Sequence, residues 1–428
     1  MVLRYAPLFL TCLAGVVVLG GAQETEPAPS KLLQIPLKRH AVSHHPERRA
    51  TRLLRQQERI RRRLVQENVR DNASALSNET VGGIVYNEVP LGVGFGTHYA
   101  ELYLGIPTQK ASVIVDTGSH LTALPCSTCE ACGTHTDPLF DVSKSSTAKY
   151  LKCHEYNSCT SCNQDKCYIS QSYTEGSMWS AVVIDDLVWL GGLNDKHPER
   201  ILKHYGVRFP VGCQTKETGL FITQKENGIM GFGQDKATLL SYMVAQKRIE
   251  HNVFSMCFSP TGGGLVLGGV DYSHHRTQVA YTPMQKDYTG WYPVKVKDIL
   301  VGDKTLGVDS SQLNSGRGVI VDSGTTDTFF VSSAARAFKK VYSNVAKTDY
   351  SEDRMSLSAD ELAKLPNITI VLQGADGEED IELEIPPTKY LTKADDGSYY
   401  GNFHFSERSG GGAFCFDLFT LLASLISF

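Results

Sequence analysis

Two segments of this chain repeat one pattern, and the repeat restricts the possible folds more than any other feature. Residues 113–119 read VIVDTGS and residues 319–325 read VIVDSGT, so an apolar run leads to aspartate, hydroxyl residue, glycine and hydroxyl residue. The aspartates, Asp116 and Asp322, are 206 positions apart, about the length of one domain. A repeat at this distance predicts two related lobes that present the same loop after a buried strand.

Short β-branched runs separated by Gly, Pro, Asn and Asp dominate the chain from Val81 onward. This pattern predicts an all-β fold with a few short helices, among them residues 238–247 and 333–346. The chain has 428 residues, of which 41% are hydrophobic, enough for two domains with substantial cores. The predicted strands include residues 98–105, 111–115, 182–190, 264–268, 291–296, 318–321 and 368–372.

The repeated aspartates suit hydrolysis by a carboxyl pair. One Asp-Thr-Gly-Ser alone is often only a turn, but two copies with matched apolar lead-ins favour function over local structure. Two carboxylates held close together share a proton, so one acts as a base and the other as an acid. Gly118 and Gly324 would let backbone amides approach the carboxylates, and the hydroxyls of Ser119 and Thr325 would orient the outer oxygens.

These motifs resemble those of the pepsin family of aspartic proteases, over roughly Tyr86 to the end of the chain. The resemblance implies a bilobal all-β fold with a cleft between two lobes that each resemble a six-stranded barrel. It also implies that Asp116 and Asp322 bind the attacking water between the lobes. Thr117 and Ser323 would cross-link the two loops. The expected partners are extended polypeptide substrates, with no cofactor, metal or nucleic acid, and the expected state is a monomer.

Residues 171–178 (QSYTEGSM) resemble the flap hairpin that closes over substrate in this family. Tyr173 matches the flap tyrosine, and Gly176 and Ser177 complete the predicted substrate-binding turn. Many relatives carry tryptophan where this chain has Ala123. We therefore expect the flap tyrosine to lack its usual hydrogen-bond partner.

The ten cysteines that follow Cys12 predict disulfides in an oxidising compartment. Eight lie in the predicted first lobe, enough for four bridges of undetermined connectivity, and Cys257 and Cys415 form a plausible second-lobe pair. The closely spaced cysteines after the first motif could instead hold zinc, but disulfides are favoured. This cysteine-rich insertion resembles nepenthesin-like proteases, and more closely the plasmepsin V-like branch. The eight first-lobe cysteines are Cys126, Cys129, Cys132, Cys153, Cys159, Cys162, Cys167 and Cys213.

The front of the chain has a different composition from the rest. Residues 1–80 contain 13 Lys and Arg against 7 Asp and Glu, whereas the whole chain has 42 and 46. The apolar run 8–20 predicts a signal peptide over residues 1–22 rather than a membrane anchor, and hence entry into the secretory pathway. Residues 23–80 are then a basic pro-segment, either an amphipathic helix around residues 53–64 or a disordered linker. The predicted lobes are residues 81–262 and 263–428.

One family feature is expected to be missing from the second lobe. Gly228–Gly231 matches the apolar-apolar-glycine strand beneath the first catalytic loop, and the family repeats this strand late in the second lobe. No Leu-Gly step follows residues 414–418, so we expect the strand under the Asp322 loop to be absent. Either an incomplete gene model or a genuine short form would explain this. A non-catalytic binding module or inactive form is therefore the alternative to an active endopeptidase.

Overall fold

A computed structural model describes residues 33–38, 92–93, 97–173, 176–191, 197–259, 262–269, 280–285, 290–316, 318–375, 377–406 and 414–417. The predicted signal peptide and the predicted pro-segment helix lie outside these residues. Among the described helices, none combines the length and the apolar character needed to cross a bilayer.

The described chain is mostly β-strand, as predicted. Its strands are β1 Leu33–Lys38, β2 Gly92–Val93, β3 His98–Leu104, β4 Gln109–Asp116, β5 Thr122–Pro125, β6 Lys149–Tyr150, β7 Ser161–Asn163, β8 Lys166–Ser172, β9 Met178–Leu190, β10 Val207–Thr218, β11 Gly228–Gly231, β12 Phe254–Ser259, β13 Gly262–Leu267, β14 Pro293–Val294, β15 Val296–Val301, β16 Lys304–Thr305, β17 Val319–Asp322, β18 Thr328–Val331, β19 Ile368–Leu372, β20 Ile381–Ile385, β21 Leu391–Lys393, β22 Tyr399–Gly401, β23 Phe403–Ser406 and β24 Phe414–Asp417. Its helices are α1 Pro198–Tyr205, α2 Leu220–Thr223, α3 Leu239–Ala245, α4 Ser310–Leu313, α5 Ser332–Ala346, α6 Ala359–Leu362 and α7 Pro387–Tyr390, with a 3-10 turn at Val142–Lys144.

The first lobe contains a closed barrel. Its six strands pair in the order β3-β4-β11-β5-β10-β9, and β9 returns to pair with β3, which closes the ring. The side chains of Val113 and Val115 on β4 are fully buried, as is Ala123 on β5. Closure leaves no free edge among these strands, so the six-stranded barrel expected from the resemblance is present in this lobe.

Strands on either side of the predicted lobe boundary join the same sheet. β13 pairs with β12 from Phe254 to Ser259, and also with β1, so it belongs to the sheet of the first lobe. Our prediction starts the second lobe at residue 263. The observed boundary lies later because glycine-rich β13 pairs with the preceding strand β12 rather than starting a new sheet. β1, from the predicted pro-segment, pairs antiparallel with β13 along its whole length.

The second lobe repeats most of this arrangement in an open form. Its strands pair in the order β14-β17-β24-β18-β23, matching β3-β4-β11-β5-β10 of the first lobe in order and in parallel or antiparallel sense. Within the described residues no sixth strand closes this sheet. The counterpart of β3 is interrupted at Lys295, and its continuation β15 pairs with β19 in a separate four-stranded sheet.

The strand that we expected to be missing from the second lobe is therefore replaced. β24 pairs parallel with β17, setting Phe414 against Val319 and Asp417 against Asp322. In the first lobe β11 runs parallel to β4 with Gly231 against Asp116. The family motif has a glycine at this register position, but strand pairing does not require one, because it depends on main-chain groups.

The two cores use different side chains. In the first lobe the interior is mainly aliphatic, with Trp179 and Trp189 of β9 almost completely buried. In the second lobe α5 turns Ala334, Phe338 and Tyr342 inward at a spacing of four residues, the pattern of an amphipathic helix. The rings of Phe338 and Tyr342 belong to an aromatic cluster that also contains Phe330, Tyr350, Tyr390 and Phe403.

The eight cysteines from Cys126 to Cys213 are all in disulfides. The pairs are Cys126–Cys213, Cys129–Cys132, Cys153–Cys162 and Cys159–Cys167. The favoured disulfide interpretation is confirmed, and the sulfur atoms of the zinc alternative are used in covalent bonds. Cys257 is also disulfide-bonded, whereas the side chain of Cys415 lies outside the described residues.

Candidate active site

The two repeated aspartates end equivalent strands and come together at the junction of the lobes. Asp116 is the last residue of β4, and Asp322 is the last residue of β17. Asp116 is buried, with 3% of its surface exposed, and Asp322 is half-buried. The apolar lead-ins fold as central strands of each sheet, which is why each aspartate emerges at a fixed point.

The residues after the aspartates tie the two loops together symmetrically. The Thr117 hydroxyl donates to the Val321 carbonyl at 2.9 Å, and the Ser323 hydroxyl donates to the Val115 carbonyl at 2.6 Å. In return, the Thr117 amide donates to Ser323 Oγ at 3.1 Å and the Ser323 amide to Thr117 Oγ1 at 2.9 Å. Four hydrogen bonds thus cross between the lobes, joining residues 204 to 208 positions apart, and they fix the separation of the two loops.

Both glycines of the motif face the opposite carboxylate. A Cβ atom built on Gly118 would lie 2.5 Å from Asp322 Oδ2, and one on Gly324 would overlap the Asp116 carboxylate. Each glycine amide also donates to Oδ1 of its own aspartate at 2.8 Å. Any side chain at either position would push the carboxylates apart, so the glycines permit the close approach that a shared proton requires.

The second hydroxyl of the motif behaves differently in the two loops. Ser119 is buried and its hydroxyl donates to Asp116 Oδ2, as expected. The hydroxyl of Thr325 donates instead to the backbone carbonyl of Asp327, at 3.3 Å. Our expectation that the Thr325 hydroxyl orients Asp322 is therefore not met, because a main-chain acceptor within its own turn takes the hydroxyl proton.

Burial raises the pKa of Asp116 above its usual range. Hydrogen bonds from Ser119 and from the Gly118 amide, contact with Asp322 and the charge of His120 act in the opposite direction without cancelling the effect. A carboxyl with a raised pKa keeps a proton at a pH where an exposed aspartate would be ionised. This is the state that a proton-sharing pair requires.

Three residues near the loops were not found from the sequence. Trp291, in the second lobe, donates its indole N–H to the Gly118 carbonyl at 2.9 Å, and the side chain of Gln234 donates to the Trp291 carbonyl. His120 follows Ser119, and its ring lies beside the positions that Cβ atoms on Gly233 and Gly290 would occupy. His120 adjoins the motif and could have been noticed, whereas no sequence signal pairs Trp291 with Gly118.

The predicted flap is a hairpin between β8 and β9. Ser172 pairs with Met178, and the Tyr173 amide donates to the Ser177 carbonyl at 2.9 Å. Gly176 adopts a φ of +103°, which favours glycine and allows the turn. The Ser177 hydroxyl accepts from the Leu220 amide at 2.9 Å, anchoring the hairpin to α2.

The flap tyrosine has a tryptophan partner after all. Trp179 Nε1 donates to the Tyr173 hydroxyl at 3.2 Å, and the Tyr173 ring packs on Phe221 with centroids 5.2 Å apart. Our expectation that Ala123 would leave Tyr173 without an indole partner was wrong. The indole comes from the strand that follows the flap, and sequence matching to the usual position could not reveal it.

Comparison with known proteins agrees with this geometry. The family model described as eukaryotic aspartyl protease matches residues 97–413. Aspartic protease 5 from Toxoplasma gondii is 36% identical over 199 residues, which cover 41% of this chain and 20% of that protein. Plasmepsin V from Plasmodium falciparum is 30% identical over 184 residues, covering 41% and 30%. Aspartic proteinase nepenthesin-1 from Nepenthes gracilis is 26% identical over 269 residues, covering 60% and 57%.

The matches to the first two relatives span less than a third of the length of those proteins. The family model, in contrast, spans both lobes and both aspartate loops. Since the match covers most of the chain and includes the cross-linked loops, this protein belongs to the eukaryotic aspartyl protease family.

Proposed function

We propose that this protein is an aspartic endopeptidase that hydrolyses peptide bonds of extended polypeptides, with Asp116 and Asp322 as its catalytic residues. The observation that carries the proposal is the reciprocal packing of each motif glycine against the opposite carboxylate. The four hydrogen bonds of Thr117 and Ser323 support it, because they hold both loops in this arrangement.

The proposed reaction uses one water molecule between the carboxyl groups. The ionised carboxylate takes a proton from this water as its oxygen bonds to the peptide carbonyl carbon. The protonated carboxyl donates its proton to the carbonyl oxygen, giving a neutral tetrahedral intermediate. Cleavage of the C–N bond follows when the nitrogen receives a proton and the carbonyl re-forms. The carboxyl pair begins and ends the cycle with one shared proton.

We further propose that the substrate lies in an extended conformation beneath the flap hairpin. Backbone groups of Gly176 and Ser177 that are not used within the hairpin would pair with substrate as a strand does, so affinity would come from main-chain hydrogen bonds. Tyr173 would cover the scissile region. Cleavage would thus require an unfolded or flexible stretch of polypeptide.

The chain is also proposed to enter the secretory pathway as a precursor, with residues 1–22 as signal peptide and 23–80 as pro-segment. Four disulfides within the first lobe support an oxidising compartment. The basic pro-segment would cover the acidic body until it is cleaved. We propose two lobes as predicted, with the boundary between residues 81–262 and 263–428 moved to follow β13, and a monomer as the working unit.

Peptide-library hydrolysis by the purified chain, scanned from acid to neutral pH, tests the proposed activity. We expect the wild type to cleave, and Asp116→Asn and Asp322→Asn each to lose activity by at least about a thousandfold. A pepstatin-type inhibitor should block the wild type. Thermal unfolding of each variant provides the folding control. Undiminished cleavage by either variant would refute the assignment of the carboxyl pair.

A further inference from the structure

We infer that Trp179 is a positioning residue for the flap, holding Tyr173 through its indole N–H, and this inference rests on the proposed peptidase function. Trp179 lies on β9, directly after the flap turn, and its side chain is fully buried. Tyr173 lies at the exposed end of the same hairpin. The bond of 3.2 Å therefore links the outer end of the flap hairpin to a fully buried side chain of the core.

The surroundings of Trp179 make it a fixed anchor. Its side chain belongs to a core cluster that also contains Ile169, Ala181 and Phe221, and Tyr173 packs against this cluster from outside. Dense packing leaves a large indole with one rotamer. The direction of the N–H bond is thus set by the barrel, and Tyr173 is held in register with it.

The same cluster explains why the indole comes from β9 and not from β5. Ala123 on β5 is fully buried between strands, and its Cβ is 3.0 Å from where a Cβ on Gly212 would lie. Gly212 and Ile229 are its partners on the two neighbouring barrel strands. Ala123 and Trp179 belong to the same core cluster, so the small residue at 123 and the large one at 179 fill one volume together.

The bond has a defined polarity. An indole N–H only donates, so the Tyr173 oxygen accepts and the hydrogen of its own hydroxyl is not used in this contact. The Phe221 ring also packs against the Tyr173 ring, at a centroid distance of 5.2 Å. Tyr173 is thus restrained in ring plane and in hydroxyl position before substrate arrives. Preorganisation of this kind lowers the cost of closing the flap.

Trp189 provides a matched control on the same strand. It is 1% exposed, and its Nε1 has no hydrogen-bond partner among the described residues. The substitution Trp189→Phe therefore removes the same atoms as Trp179→Phe from an equally buried site, without removing a hydrogen bond. A general packing effect would appear in both variants, whereas a positioning effect would appear only at Trp179.

The first measurement follows the indole resonances of the full chain labelled with 15N-tryptophan, which contains three tryptophans. Trp179→Phe assigns the resonance of Trp179. In Tyr173→Phe we expect this resonance to move upfield, while those of Trp189 and Trp291 stay in place. An unmoved Trp179 resonance would overturn the inference, whether or not the chain cleaves peptides.

The second measurement determines kcat and KM on a peptide from the library. We expect Trp179→Phe to lower kcat/KM about three- to tenfold, mainly through kcat, because the closed flap contributes in the transition state. Trp189→Phe should stay within about twofold. In a Tyr173→Phe background Trp179→Phe should change kcat/KM by less than about twofold, since the shared bond is already lost.

Two results of the kinetic measurement would contradict the inference. One is an equal loss in Trp179→Phe and Trp189→Phe. The other is a loss from Trp179→Phe that is the same with and without the Tyr173 hydroxyl. A wild-type chain that cleaves nothing would instead count against the proposed peptidase function. The indole resonance would then decide the contact by itself.

Discussion

The two lobes share one strand order but differ in how completely they are closed. The first lobe is a barrel whose ring is completed by β9, and four disulfides reinforce it. The described strands of the second lobe form open sheets, and its core is made largely by aromatic rings around α5. The two equivalent aspartate loops are thus supported by sheets that differ in closure.

The two aspartate loops also differ in their side-chain hydrogen bonds. Ser119 binds the carboxylate of Asp116, whereas Thr325 binds a backbone carbonyl in its own turn. Beneath the loops, Gly231 faces Asp116 in the register and Asp417 faces Asp322. A duplicated motif therefore preserves main-chain pairing more strictly than side-chain contacts. We expect the first lobe to be the more rigid half and its aspartate the more tightly held.

The largest expected effect concerns the disulfide across the barrel of the first lobe. Replacing Cys126 and Cys213 by alanine should lower the free energy of unfolding by about 2–5 kcal/mol, because this bond closes a loop of 87 residues. Replacing Cys129 and Cys132 should cost less, since they are only 3 positions apart. Hydrogen exchange resolved by lobe would measure the loss of stability in both double variants. Equal protection of the two lobes in the wild type would contradict the proposed difference in rigidity.

The next prediction compares the two hydroxyls of the loops. Ser119→Ala should lower kcat/KM roughly ten- to hundredfold, because the Asp116 carboxyl loses the buried hydrogen bond from Ser119 that orients it. Thr325→Ala should stay within about threefold. Steady-state kinetics of both variants on one peptide would test this. Equal losses would show that the two loops are equivalent in function despite their different contacts.

A third prediction concerns the strands beneath the loops. A Cβ on Gly231 would lie 2.4 Å from the carbonyl carbon of His120, so Gly231→Ala should destabilise the protein by about 1–3 kcal/mol. The matching register position of the second lobe carries Asp417. Urea unfolding would measure the effect of Gly231→Ala. A loss below about 0.5 kcal/mol would indicate that the first lobe also tolerates a side chain at this register position.

The smallest expected effect is on pH dependence. The charge of His120 lowers the pKa of Asp116, against the rise caused by burial. Removing that charge with His120→Asn should raise the pKa of Asp116 further, so the acid limb of kcat/KM should move to higher pH by less than about one unit. Hydrolysis rates measured across the acid range would show the shift. A move to lower pH would mean that the charge of His120 does not act on the pair.

Much of the fold was predictable because strand signals are local. The apolar runs before Asp116 and Asp322 and the turn at Gly176 each carry their own signal of period and turn chemistry. The flap anchor was not predictable from the usual position of a tryptophan. Trp179 and Ala123 share one core volume that forms only after β5, β9 and β10 have assembled. No local sequence pattern therefore predicts it.

The second lobe illustrates the same limit. Its strand β24 lacks the glycine of the family motif, so the sequence does not indicate this strand, although its backbone pairs with β17. The destination of the Thr325 hydroxyl likewise depends on distances within a turn rather than on residue type.

The sequence by itself determined the two-lobed β architecture, the pair of aspartates and the commitment of the first-lobe cysteines to disulfides. These follow from residue types and spacings, which act through local backbone preferences and covalent chemistry. The tertiary structure alone decided which disulfides form, which lobe closes, which hydroxyl reaches a carboxylate and which indole holds the flap. Those outcomes depend on contacts between residues far apart in the chain, whose distances are fixed only when the sheets pack.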